Sequence, residues 1–275
     1  MAFKEDISPL LMFDYAAPKK FPANVGSPLG VGQHPHRGFE TVTIAFQGEV
    51  EHHDSTGKSG VIKPGDVQWM TAGRGIIHQE YHSKEFTRQG GMFEMCQLWV
   101  DLPKKHKLTK PGYQGILNEK IPVVNLPLGA DEGTGSLGTA RIIAGEIGET
   151  KGAAKTFSPV QLWDVSLPLK DSEVELPFPA DHNCMVFVRR GSVEVLSGES
   201  NNLKASKLGP QDLALLRTDG SDLLKVRILE KNSSIMILGG EPLNQPIANQ
   251  GPFVMTTKQE LMQAMSDYRS GKFGR

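Results

Sequence analysis

Three histidines and one glutamate in the first third of the chain have the types and spacing of a metal site. They form two pairs, His34 with His36 and His78 with Glu80, and one residue separates the members of each pair. Residues two apart on a β-strand point to the same face of a sheet. If both pairs lie on facing strands, three imidazoles and one carboxylate surround a cation. That set suits a first-row transition metal, and six-coordinate geometry leaves two positions open.

A lone histidine is more often a surface or hydrogen-bonded residue than a ligand, so the prediction depends on the pairing. The remaining histidines of the chain have no partner at a useful spacing, and we interpret them as structural or solvent-exposed. They are His52, His53, His82, His106 and His182.

The predicted strand that follows the first histidine pair indicates whether that pair is buried. Val42, Ile44 and Phe46 share the parity of His34 and His36. If no bulge intervenes, the ligand face and the core face are therefore the same. A buried histidine pair without a partner is costly, and a bound metal removes that cost.

Composition excludes several classes of protein. The 275 residues fit one large domain or two of ordinary size, and a net charge of -1 gives no electrostatic reason to expect nucleic acid or an anionic membrane as partner. We interpret the basic run 104–107 as a solvated loop. Cys96 and Cys184 lie far apart without a CxxC motif, which favours a reducing compartment and no disulfide. The polar N-terminus (1–6) does not resemble a signal peptide, and no apolar run approaches membrane-spanning length, so we expect a cytoplasmic protein.

The sequence pattern predicts an all-β fold. Short runs rich in Val, Ile, Leu, Phe and Thr alternate with Gly and Pro turn signals, as in a sandwich or barrel. The clearest of them are residues 41–46, 67–70, 97–101, 161–167, 185–189, 192–196, 213–216, 225–229 and 234–238.

One short helix is predicted near the C-terminus. Thr256 and Thr257 can cap it, with Gln259 and Glu260 three residues further on, and Gly271 can stop it. Its predicted apolar face consists of Leu261, Met262, Met265 and Tyr268.

A faint internal repeat indicates two related barrels. IAFQGEVE (44–51) resembles FVRRGSVE (187–194), and KPGDVQW (63–69) resembles LGPQDLAL (208–215) in the same order. The positions that correspond to the first histidine pair are Pro177 and Pro179, and the second pair corresponds to a segment near Asp222–Leu224. His182 is nearby but has the wrong parity. Only the first half is therefore expected to hold a metal.

The motifs resemble those of the pirins, a branch of the cupin superfamily. HPHRGFETVT (34–43) and WMTAGRGIIHQE (69–80) are similar to two long pirin signatures, and the segments 97–103, 251–255 and 267–274 resemble further family segments. The resemblance implies a bicupin: two packed antiparallel jelly-roll barrels with a short C-terminal helix. We expect an N-terminal metal-binding barrel at 1–130 and a C-terminal barrel without ligands, with the helix, at 131–275.

The resemblance also implies a metal and its ligands. In pirins the metal is usually iron, so Fe(II) is the expected cofactor, with Ni, Mn, Cu, Co or Zn as alternatives. Carried onto this chain, the ligands are His34, His36, His78 and Glu80. In the wider cupin pattern the glutamate at the position of Glu40 is often a ligand, and we interpret Glu40 here as a buried hydrogen-bonding residue or as a residue that orients a ligand. Glu40 as the fourth ligand is the alternative.

Two classes of function follow from the resemblance. Several pirins are similar to quercetin 2,3-dioxygenases, which open a flavonol ring with O2, and Glu80 would then act as catalytic general base on the substrate hydroxyl. Other pirins are described as regulators that bind transcription or metabolic partners, with the metal as a redox-dependent switch. A pocket for a planar aromatic favours the enzyme. We expect a monomer with no direct nucleic-acid or membrane partner.

Overall fold

The computed structural model describes residues 7–127, 135–197, 204–216 and 222–274, and these are mostly antiparallel β-strands. The predicted all-β class is confirmed. The chain divides into two compact units. The first comprises Leu10–Asn118 and Leu243–Arg275, and the second comprises Asp6–Pro9 and Glu119–Pro242. No helix among the described residues is long and apolar enough to cross a membrane. The N-terminal segment 1–6, on which the signal-peptide prediction rested, lies outside the described residues.

The first unit is a barrel of two antiparallel sheets. One has the strand order β1-β8-β3-β6-β9 and the other has the order β2-β7-β4-β5. The strands are β1 Leu10–Phe21, β2 Gly30–His36, β3 Phe39–Gln47, β4 Val50–Asp54, β5 Ser59–Ile62, β6 Val67–Thr71, β7 Ile76–His82, β8 Gly91–Asp101 and β9 Gly112–Ile116. A short helix, α1 (Lys84–Gln89), is capped by Ser83 and was not predicted. Single 3₁₀ turns occur at Lys104–His106 and Asn118–Lys120.

The second unit repeats this plan. Its main sheets have the orders β10-β11-β14-β21-β16-β19 and β15-β20-β17-β18, and β12 pairs with β13. The strands are β10 Val123–Leu126, β11 Gly138–Ala144, β12 Glu146–Ile147, β13 Thr150–Lys151, β14 Val160–Leu167, β15 Glu173–Pro177, β16 Asn183–Arg190, β17 Val193–Ser197, β18 Lys204–Leu208, β19 Leu213–Leu216, β20 Leu223–Ile228 and β21 Ser233–Gly240. Gly48 and Gly191, which the repeat aligned, join corresponding strands with φ of 76° and 69°, a conformation that favours glycine.

The C-terminal segment forms β22 (Ala248–Gln250), β23 (Phe253–Met255) and α2 (Lys258–Arg269). The predicted helix is present, and Thr257 and Glu260 form a reciprocal capping box at its start. Its apolar face differs from the prediction at two positions, because Met262 is 60% and Tyr268 39% exposed, whereas Leu261 and Ala264 are buried.

The C-terminal segment groups with the first unit, whereas we expected it to belong with residues 131–275. Two contacts within the first unit explain this. The ammonium of Lys107 is buried and donates to the Val254 carbonyl at 3.1 Å, and Arg37 pairs with Asp267 at 2.9 Å. The predicted boundary at 130/131 itself falls in the stretch 128–134, outside the described residues.

Candidate metal centre

Both predicted ligand pairs lie on neighbouring strands of the smaller sheet in the first unit. β2 carries His34 and His36, β7 carries His78 and Glu80, and His34 is paired directly with His78 across the two strands. One ring nitrogen from each of the three histidines lies within 4.8 Å of the others. The alternation of side chains along a strand brings the members of each pair to one face, and the register brings the pairs together.

The histidine rings are arranged as metal ligands require. The Nδ1 of His34 lies 2.8 Å from the Gly32 carbonyl oxygen, so it donates there and leaves Nε2 as a lone-pair ligand. Within the described part of the chain, neither ring nitrogen of buried His78 has a hydrogen-bond partner. Ring centroids are 4.3 Å apart for His34 and His78 and 4.9 Å apart for His36 and His78. Buried polar atoms without partners are costly, and a divalent cation between the rings removes that cost.

Burial and neighbouring imidazoles keep the rings of His36 and His78 neutral. Burial, followed by the neighbouring His34 and His52, lowers the pKa of His78 to about 3. Burial, followed by His78 and His34, lowers the pKa of His36 well below its ordinary value. A neutral imidazole has a free lone pair, which is the form that binds a metal. The residues present therefore fit one divalent transition metal held by three histidines.

Glu80 lies beside this cluster and is held by hydrogen bonds. Its Oε2 is 4.0 Å from Nε2 of His78. The amide of Gln97 donates to both carboxylate oxygens at 2.9 and 3.2 Å, and the Thr43 hydroxyl donates at 3.3 Å. Sequence reasoning missed both of these partners, although each lies in a segment that resembled the pirins. The carboxylate is close enough to serve as a fourth ligand or as a base for a bound molecule.

Glu40 lies on the opposite face of β3 from this site. It is buried, it pairs with Thr71 on β6, and the Thr71 hydroxyl donates to its carboxylate at 2.7 Å. Thr43, which contacts Glu80, has the other parity. Burial, only partly offset by the hydrogen bond from Thr71, raises the pKa of Glu40 to about 7. The geometry gives no support to Glu40 as a ligand or as a residue that orients one.

The ligand face and the core face do not share a parity, because the alternation of side chains is interrupted between β2 and β3. Gly38, between β2 and β3, has φ of 88°, and the alternation changes there. The ring of Phe39 is 5.1 Å from that of His36. The odd-numbered residues of β3 therefore face the site, and Val42 and Ile44 face away from it.

The other histidines have varied surroundings. His52 is buried and pairs with Glu80 across β4 and β7, so its interpretation as structural or exposed overlooked its position beside the site. His53 contacts Glu51, and His82 packs against phenylalanines. His182 is buried near Phe178 in the second unit. Cys96 and Cys184 are both buried and are not joined in a disulfide.

Comparison with known proteins gives matches to both halves of the chain. A family model described as "Pirin" matches residues 2–100, and one described as "Pirin C-terminal cupin domain" matches residues 162–274. A Pseudomonas aeruginosa protein named "Putative quercetin 2,3-dioxygenase" is 47% identical over 271 residues, which cover 98% of this chain and 87% of the relative.

Solved structures agree in fold. A crystal structure of quercetin 2,3-dioxygenase from Acinetobacter baumannii is 45% identical, with a TM-score of 0.88 over 100% of this chain and 90% of that one. A bacterial pirin from Escherichia coli, solved in complex with nickel(II), is 21% identical with a TM-score of 0.60, over 86% of this chain and 84% of that one. The second likeness concerns the fold alone.

Proposed function

This chain belongs to the pirin family, and on that basis we propose that it is a metal-dependent dioxygenase of the quercetinase type, acting on flavonol-like substrates with O2. The observation that carries the proposal is the juxtaposition of three clustered histidines with a hydrogen-bonded carboxylate inside a barrel. Relatives at 45–47% identity are named for the same reaction. We propose Fe(II) as the metal, held by His34, His36 and His78, with Glu80 as the fourth ligand or the base next to the metal.

At this site a divalent metal would supply Lewis-acid and electron-transfer chemistry. The protein residues supply the rest. The carboxylate of Glu80 accepts the proton of the flavonol 3-hydroxyl as general base. Gln97 and Thr43 fix the position of that carboxylate, so that it is aligned before substrate arrives. The rings of Phe39 and Trp99 pack against His36 at 5.1 and 5.4 Å between centroids, and they keep water from that side of the site.

The direct test is anaerobic reconstitution followed by a substrate screen. Metal-free protein is loaded separately with Fe(II), Ni(II), Mn(II), Co(II), Cu(II) and Zn(II), and metal content is measured for each form. O2 uptake and loss of flavonol absorbance are then followed with quercetin and related flavonols. We expect stoichiometric consumption of both reactants by at least one metal form. If no fully loaded form consumes O2 with any flavonol, the dioxygenase proposal fails, and a metal-gated regulatory protein that binds transcription or metabolic partners becomes the better interpretation.

A further inference from the structure

One side of the barrel in the first unit has a surface cleft. β5 and β9 are the edge strands of its two sheets. Between them lies a cleft of about 510 Å³, lined by residues of both strands and by His52, Lys58 and Gln68. This volume is in the range of roughly 300–1,000 Å³ that is typical of small-molecule pockets.

Strand register connects this cleft to the candidate metal centre along the smaller sheet. Glu80 on β7 is paired with His52 on β4, and His52 is paired with Gly60 on β5. Directly paired residues share one face of a sheet. The row that begins at the carboxylate beside the histidine cluster therefore ends at a glycine on the edge strand.

A second row crosses the larger sheet in parallel. Gln97 on β8 is paired with Thr43 on β3, Thr43 with Gln68 on β6, and Gln68 with Gly115 on β9. Gln97 and Thr43 are the residues that hydrogen-bond Glu80, so this row also faces the site. Both inward-facing rows are polar, and each ends at a glycine that lines the cleft.

The two glycines have different roles. A Cβ added to Gly60 would lie 2.8 Å from Nε2 of His52, so the missing side chain makes room for the His52 ring. A Cβ added to Gly115 would meet no heavy atom within 4 Å, and Gly115 is not among the glycines with positive φ. Neither packing nor backbone conformation therefore requires glycine at position 115. The missing side chain leaves the cleft open.

The lining of the cleft matches a planar aromatic molecule with hydroxyl groups. The rings of His52 and Tyr113 stack at 5.5 Å with an interplanar angle of 23°, and Lys58 Nζ is 5.8 Å from the Tyr113 ring centroid. In the described residues, the buried atoms His52 Nδ1 and Gln68 Oε1 find no hydrogen-bond partner. Buried polar atoms of this kind are available to bind a ligand's hydroxyl groups.

We propose that the cleft between β5 and β9 is the entrance and outer binding subsite for the substrate, that Gly115 keeps it open, and that His52 and Gln68 bind the substrate's hydroxyl groups. This inference rests on the proposed function, because a flavonol is the planar polyhydroxylated molecule considered. The entry path and the residues that select a planar polyhydroxylated molecule are added to that function. Lys58, at the mouth, favours substrates with acidic phenols.

The test narrows the cleft without altering the metal ligands. Gly115→Ala, Gly115→Val and Gly115→Leu place side chains of increasing size in open space at the cleft. Gly112→Leu is the matched control, because Gly112 lies on the same strand with the opposite parity, pairs with Thr71, and also has nothing within 4 Å of an added Cβ. Each variant is loaded with Co(II), whose visible spectrum reports binding at the metal. The probes are quercetin and azide.

We expect the association rate of quercetin to fall with side-chain size, by at least about tenfold in Gly115→Leu. Azide, which is far smaller, should perturb the Co(II) spectrum equally in all variants, and Gly112→Leu should behave as wild type. Gln68→Met, which removes the unpartnered oxygen at similar volume, should weaken quercetin binding by roughly 3- to 10-fold.

The outcomes separate this inference from the proposed function. If Gly115→Leu binds quercetin as fast as wild type, the entrance lies elsewhere and the dioxygenase proposal is untouched. If wild type binds quercetin but consumes no O2, the dioxygenase proposal fails, and a selective loss of binding in the Gly115 series still supports the cleft. If wild type binds no flavonol, the inference fails together with the substrate class on which it rests.

Discussion

The four-stranded sheets of the two units have corresponding strand orders, β2-β7-β4-β5 and β15-β20-β17-β18, but different inward-facing residues. In the first unit β2 pairs with β7 through His34 and His78. In the second unit the corresponding strands pair through Leu176 with Leu224 and through Val174 with Val226. All four of these aliphatic residues belong to one core cluster that fills the second barrel. The strand framework is therefore shared, and the side-chain types decide whether a barrel interior is a core or a site.

The difference also affects how each barrel is stabilised. The second barrel has one large, continuous apolar core, and burial of apolar surface is the main stabilising contribution in such a sandwich. In the first barrel, smaller apolar clusters lie beside the polar rows that face the site. One further cluster joins β23 to α2 and the segment around Phe273. The C-terminal segment thus adds apolar packing to the unit whose site-facing rows are polar.

The largest expected effect comes from replacing a histidine on β7 with an aliphatic residue, the type found on the corresponding strand of the second barrel. His78→Leu should abolish metal binding, a greater loss than the roughly 10- to 100-fold cost of changing a residue that only supports a ligand. The fold should persist, because leucine fits a buried position and adds no polar group. Metal analysis after dialysis measures the effect, and His182→Leu is the control that should keep full metal content. Retention of metal by His78→Leu would contradict the three-histidine site.

The next largest expected effect distinguishes Glu80, beside the candidate metal centre, from Glu40, on the opposite face of β3. Glu80→Gln is nearly isosteric but cannot take a proton. At matched metal loading we expect turnover to fall by on the order of 10²–10⁴-fold. Glu40→Gln should leave turnover unchanged, because Glu40 is bonded to Thr71 and faces away. Equal losses in both variants would show that the two faces of β3 are not functionally distinct.

A third prediction concerns the filled interior. Leu176→Ala removes a fully buried side chain from the aliphatic core of the second barrel. It should lower the free energy of unfolding by about 2–5 kcal/mol and leave metal content unchanged. Thr43→Ala, in the polar interior of the first barrel, should cost only about 0.5–1.5 kcal/mol. Denaturant unfolding of the metal-free proteins measures both, and similar losses would mean that the first barrel is as tightly packed as the second.

The last expected effect appears only as a pH dependence of the stability of the first unit. Burial raises the pKa of Glu40 from 4.5 to about 7. Folding therefore favours the protonated acid, so this stabilising contribution is complete below pH 4.5 and is lost as the pH rises through 7. The loss at high pH is on the order of 3 kcal/mol. Glu40→Gln should remove it, so the stability difference between variant and wild type should grow from pH 4.5 to 8. A constant difference would mean that Glu40 is not buried as described.

Local sequence patterns were sufficient for much of the fold. Alternating apolar residues and turn glycines predicted the strands and the repeated barrel, and Thr257 with Glu260 predicted the start of the C-terminal helix. The segments around Pro177 and Asp222 contain no histidine at the corresponding positions, and the structure shows aliphatic pairs on those strands. These features depend on neighbours along the chain or on one strand, and residue order alone specifies such neighbours.

The sequence by itself also determined which side chains are candidate ligands, because His34 with His36 and His78 with Glu80 share a face whenever their strands form. Only the tertiary structure decided what surrounds them. The partners of Glu80, Gln97 and Thr43, come from other strands, and strand register sets their positions. The positive φ of Gly38 reversed the parity of β3 and turned Glu40 away from the site. A one-residue change in parity moves every side chain of a strand to the other face. The sequence pattern within one strand does not show such a change.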